Sequence, residues 1–159
     1  MSWQNNMGKS TENDEERKVI IVPCSGIGKT YGSVSREAAY ELVENVRPDQ
    51  TRLVALSLLV LGDENSQQAL AENPAVTIDG CKLACATKMV LESGGTVAKD
   101  FAVLDVYRKH RKLKPKGIAQ LNQAGIQLSN ILAGEAAEVV DSLGQKIPLE
   151  GDEGGRQDG

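Results

Sequence analysis

Cys24, Cys81 and Cys85 are the three cysteines of this 159-residue chain, and their types and spacing suit a thiophilic metal. Each cysteine segment follows a short, strongly apolar β-type run. Val19–Val22 leads to Cys24, and Val76–Ile78 leads through Asp79-Gly80 to Cys81. Both thiols are therefore expected just past the C-terminal end of a strand. Cys81 and Cys85 are four apart where a helix is expected to begin, which would project them from one face, one turn apart. Thiolates are natural zinc ligands, and a helix N-terminus favours their charged form. Three protein ligands leave a fourth place open, as in zinc sites that activate water, while iron–sulfur clusters also take thiolates. His110, the single histidine, lies in a basic cluster and reads as exposed rather than ligating. No general base can be named, so catalysis is left open.

Other chemistries compete for these residues. Cys24 alone could be buried as a small apolar side chain. As a nucleophile after the first strand it resembles the phosphate loops of low-molecular-weight tyrosine phosphatases and thiol-linked arsenate reductases. Those loops need Cys-x5-Arg; Thr30 occupies the arginine's place here, and Arg36 is too far along. A redox protein would pair Cys24 with Cys81 or Cys85 in a reversible disulfide. Gly28-Lys29-Thr30 matches the end of a Walker A loop, but the motif's first glycine falls on Pro23. Its helix should also start at Lys29-Thr30, where Tyr31-Gly32 is expected to interrupt.

The elements that must position these residues are legible as alternating strands and helices. Lys18–Pro23 is a continuous apolar run, too short for a helix, and reads as a strand buried on both faces. The glycine-bearing loop Cys24–Gly32 follows, and its form is that of a binding loop: Ser25, Gly26 and Gly28 are candidate contacts. Ser33 or Ser35 is expected to cap a helix over Arg36–Val46. A second strand is expected over Thr51–Leu56, its end blurred by the apolar Ser57–Leu61, and then a short helix to Glu72. The third strand is Ala75–Ile78, with Asp79-Gly80 as its turn. A helix over Lys82–Ser93 ends at Gly94-Gly95, and Val97–Val106 includes a fourth strand, near Phe101–Leu104. Two further helices, Ile118–Leu132 and Glu135–Leu143, are expected to break at Gly134.

Such alternation predicts an α/β domain, a three-layer αβα, Rossmann-like arrangement of about four mostly parallel strands with two extra C-terminal helices. The domain would span 18–148, with a flexible arm over 1–17 and a flexible tail over 149–159. In the common 2-1-3-4 order the first and third strands are neighbours at the switch point, where ligands bind. That order would put Cys24 beside Cys81. The last two helices would cover the site or make a homo-oligomer contact.

A net charge of −4 gives no basic field for nucleic acid or anionic lipid. The local run Arg108–Lys112 with Lys114 and Lys116 reads as a solvated helix end or loop, since no aromatic residue interleaves with it. With 3% aromatic residues the core must be Val, Leu, Ile and Ala. No apolar stretch approaches the roughly 18 residues of a membrane span, and the N-terminus lacks an apolar signal region, so a cytoplasmic protein is expected. In that reducing compartment a disulfide framework is not expected.

Cys24-Ser25-Gly26-Ile27-Gly28, Ser35-Arg36-Glu37-Ala38-Ala39 and Ile78-Asp79-Gly80-Cys81, with Cys85 completing Cys-x3-Cys, resemble the DGC-domain family over about Lys18–Leu104. The resemblance implies zinc binding through Cys24, Cys81 and Cys85, with an unknown small molecule or none as partner. It assigns Asp79 and Gly80 to the site's turn, although an Asp in that place also caps helices. The family pattern has four candidate cysteines against three here. Either a non-protein ligand takes the fourth place or the metal reading weakens.

Overall fold

The computed structural model describes residues 17–24, 26 and 28–145. Apart from Arg17, the arm expected over 1–17 lies outside the described residues, as does the tail expected over 149–159. The chain forms β1 (Val19–Pro23), α1 (Thr30–Glu41) with a π-helical continuation (Leu42–Val46), β2 (Thr51–Leu53), α2 (Leu56–Leu61) and α3 (Glu64–Glu72). It continues as β3 (Ala75–Asp79), α4 (Cys85–Glu92), β4 (Val97–Ala102), α5 (Val103–Lys109) and α6 (Gln123–Gln145). The four strands are all parallel and ordered β2-β1-β3-β4, as the strand pattern predicts.

Side-chain alternation divides the sheet's core. Val19, Ile21, Val76 and Ile78 face α1, α5 and α6, and Ile20, Val22 and Ala75 face Leu59, Leu70, Ala86 and Val90 of α2, α3 and α4. Helices on both faces of a parallel sheet make the three-layer αβα domain. The edges are guarded differently: β2 is three residues long, and β4 carries exposed Lys99 and Asp100. Among the described residues no helix is long and apolar enough to cross a membrane.

Several boundaries differ from expectation for identifiable reasons. The apolar run after Thr51 splits: the strand stops at Leu53, and Leu56–Leu61 is helical, with Leu59 inward and Gly62 left-handed at its end. An all-apolar run has no period to separate strand from helix. The fourth strand lies within Val97–Val106 as expected but at its start, Val97–Ala102, because the Val103 and Val106 side chains pack inward from a helix. α1 starts at Thr30, so Ser33 and Ser35 are inside it. Their hydroxyls donate outward, Ser33 to Ile118 O at 2.5 Å and Ser35 to Ile78 O at 2.6 Å. Because α1 begins at Lys29-Thr30, Tyr31-Gly32 does not interrupt it; Pro23, at the end of β1, is what departs from a Walker A loop.

The two expected C-terminal helices are one. α6 begins after Asn122, whose Oδ1 accepts from Gly125 N at 2.9 Å, and runs unbroken through Gly134. Leu128, Leu132, Ala136 and Val140 form a single buried stripe, and α6 packs along α1 and its π-helical end. Arg47 grips Asp141 of α6 through Nε and Nη2, at 2.7 and 2.8 Å, which holds the Asp141 carboxyl below the usual range. Gly134 is exposed, and a Cβ there would meet nothing within 4 Å. Gly134→Ala is therefore expected to stabilise the protein by about 0.5–1 kcal/mol, read as a higher urea midpoint. An unchanged or lower midpoint would contradict a continuous, unstrained helix.

Candidate thiol and metal site

The parallel register aligns Pro23 of β1 with Ile78 of β3, so both strands end at one level. The Cys24 N–H extends the ladder by one bond, donating to Ile78 O at 2.8 Å, the same carbonyl that Ser35 ties to α1. Cys24 is buried at 9% exposure. Burial pushes its thiol up from the usual range, and the charges of Asp79 and Cys85 push the same way. Backbone N–H groups of Gly26 and Gly80 donate to its sulfur and pull against that shift.

Close glycine contacts make this pocket. A Cβ on Gly32 would stand 2.5 Å from Gly26 O, and one on Gly80 would stand 3.1 Å from Gly32 N. The loop after β1, the first turn of α1 and the loop after β3 thus touch backbone to backbone. Gly26, at φ +41°, also needs the left-handed region. Gly28, at φ +82°, is an exposed turn residue with open space around it. Ser25 lies outside the described residues.

Asp79 is buried at 3% exposure and acts as a cap. Its Oδ1 accepts from Ala86 N at 2.8 Å, and its Oδ2 accepts from Thr87 N at 3.2 Å and Thr87 Oγ1 at 2.6 Å. Thr87 Oγ1 in turn lies 2.7 Å from Thr77 Oγ1. This carboxylate, reaching across the Gly80–Cys85 connection, sets the start of α4 at Cys85 rather than Lys82. Cys81 consequently lies in a turn, closed by Ala84 N to Cys81 O at 3.2 Å, with Ala84 left-handed at φ 52°. The expectation that Cys81 and Cys85 share one helical face is corrected by that turn. Thr77, Thr87, Gly32 and Ser35 were not singled out from sequence as site residues. A cap seven residues away has no local signature, because capping patterns span three.

The three thiols are free: Cys24 buried, Cys81 half-buried and Cys85 exposed. Thiol donors suit zinc or an iron–sulfur cluster in chemistry, yet among the described residues no three of His, Cys, Asp and Glu gather to hold a metal ion. As arranged here the thiols do not form a complete metal set. Cys24 is buried just past β1, and Cys85 is exposed at the start of α4. His110 belongs to the connection between α5 and α6.

Fold and site together define an α/β domain with thiols at the switch point of a parallel sheet. A family model described as DGC domain matches residues 20–125, and the chain belongs to the DGC domain family. No curated protein and no solved structure matches the chain.

Proposed function

We propose that this DGC domain is a cytoplasmic thiol site that takes up a soft metal ion, zinc first, through Cys24, Cys81 and Cys85. The observation that carries the reading is the adjoining C-terminal ends of β1 and β3, which bring Cys24 and the loop bearing Cys81 and Cys85 to one end of the sheet. Zinc supplies a strong thiolate bond and, with a fourth place left to a non-protein ligand, Lewis acidity. This chain's residues do the positioning. Asp79 fixes the start of α4 and so Cys85, while Gly26 and Gly80 direct N–H groups at the Cys24 sulfur. Completing the set requires the Cys81–Ala84 turn to shift, because among the described residues no three ligands gather as the loop stands.

That same fact favours a second reading. In it Cys24 pairs with Cys85 or Cys81 as a dithiol that an external disulfide oxidises reversibly, with two electrons and two protons passing to the oxidant.

Metal content of anaerobically purified, untagged protein, measured by inductively coupled plasma mass spectrometry, separates the two. About one equivalent of zinc is expected, lost in Cys81→Ser. Iron with matching sulfide would indicate a cluster. No metal, with three titratable thiols, would overturn the metal reading. A disulfide joining Cys24 to Cys85 or Cys81, found after mild oxidation, would then establish the dithiol.

A further inference from the structure

The densest basic run in the chain has no part in the thiol site. Arg108, Lys109, Arg111, Lys112, Lys114 and Lys116 are six of the 18 Lys and Arg residues, placed within nine positions with no acid among them. Subtracting these six charges from the net −4 leaves −10 on the rest of the chain. Cations at a helix C-terminus offset its dipole, which explains Arg108 and Lys109 in the last turn of α5. Arg108 also pairs with Asp105 at 3.3 Å. Neither reason covers Arg111 and Lys112, which lie past the end of the helix.

The structure gives that segment a defined shape. His110 N donates to Tyr107 O at 3.0 Å and Leu113 N to His110 O at 2.9 Å. Asn122 then pins the return, accepting from Lys116 N at 3.0 Å and donating to Lys114 O at 3.1 Å. Arg108, Lys109, His110, Arg111, Lys112 and Leu113 line an open cavity of about 390 Å³. Small-ligand clefts begin at roughly 300 Å³. No carboxylate lines it, and among the described residues Lys109, Arg111 and Lys112 make no ion pair.

We propose that this cavity binds a small, multiply phosphorylated anion by its phosphate chain. Four Lys and Arg residues line it, so a single negative charge would leave most of them uncompensated. Two guanidinium forks match phosphate oxygens in geometry. His110 carries the one aromatic ring among the six lining residues, and no Phe, Tyr or Trp is there, so the cavity lacks the successive stacking platforms of a single-stranded nucleic-acid groove.

The test is isothermal titration of the full chain with inorganic tripolyphosphate. Saturable 1:1 binding is expected, weakening as salt rises from about 0.1 M to 1 M, where screening shortens to ~3 Å. Arg111→Glu with Lys112→Glu should weaken it by about tenfold or more. Arg52→Glu with Lys88→Glu makes the same charge change on the far edge strand and on the opposite face of the sheet, and should bind nearly as the parent does. If the first pair unfolds, the single exposed Arg111→Ala should still weaken binding severalfold. The proposal is overturned by absent saturation or by equal weakening in both pairs. Binding only to a single-stranded oligonucleotide, or only to phosphatidylserine vesicles, also overturns it. Cys81→Ser should bind tripolyphosphate unchanged, so this result stands apart from the metal content.

Discussion

Gly32→Ala is expected to cost about 3 kcal/mol or more of unfolding free energy, because its new Cβ meets backbone that cannot turn aside. That atom would stand 2.5 Å from Gly26 O and 2.8 Å from Gly26 C, and would also meet Gly26 Cα. A flexible side chain could yield by a rotamer change, but a carbonyl held between a left-handed glycine and a helix start cannot. Such a loss is a large share of the ~5–15 kcal/mol that holds a typical domain together. It also has a local consequence, since Gly26 must retreat and take its N–H away from the Cys24 sulfur. Urea denaturation should therefore show a lower midpoint, and buried Cys24 should react faster with an aromatic disulfide reagent. The same substitution at Gly134 is expected to have the opposite sign, since its Cβ meets open space. Both midpoints moving together, or Gly32→Ala costing under about 1 kcal/mol, would show that the close approach relaxes easily.

Asp79→Ala should destabilise by about 2–4 kcal/mol, combining a lost N-terminal cap with buried donors left unpaired. Three donors depend on that carboxylate: the N–H groups of Ala86 and Thr87 and the Thr87 hydroxyl. Asp79→Asn retains one acceptor oxygen and should lose about half as much, while Thr87→Val should cost about 1 kcal/mol. Hydrogen exchange supplies the decisive readout. Amides of Ala86 and Thr87 should lose protection in Asp79→Ala, and those of β1 should not. Parent-like melting and exchange would remove the capping role. Because Cys85 opens α4, fraying this turn should also abolish zinc uptake under the metal reading.

Much of the architecture was legible because buried parallel strands leave a simple trace. Val19–Val22 and Ala75–Ile78 are continuous apolar runs, each followed by a turn, and both are found as central strands. Alternation with helices then yielded the β2-β1-β3-β4 order and the placing of Cys24 at the switch point. Leu53–Leu61 misled for the same reason that the central strands were clear: continuous apolarity marks burial without specifying a period. Gly134 misled in another way. A glycine costs a helix about 1 kcal/mol, whereas the stripe from Leu128 to Val140 buries several side chains against α1 and its π-helical end, so packing prevails. Asp79 was read from sequence as a turn or capping residue, and the cap is what it makes.

What the sequence by itself determined is which residue types sit past which strand ends: Cys24 after β1, Asp79-Gly80-Cys81 at the end of β3, a basic run after α5. These follow from short continuous apolar runs and 3.6-residue helical stripes, and so are carried within short windows. Only the tertiary structure decided that Asp79 reaches Ala86 and Thr87, and that this reach leaves Cys81 in a turn. Those outcomes depend on the contact of Gly26, Gly32 and Gly80, a backbone approach between segments up to about 50 residues apart, which no local window contains.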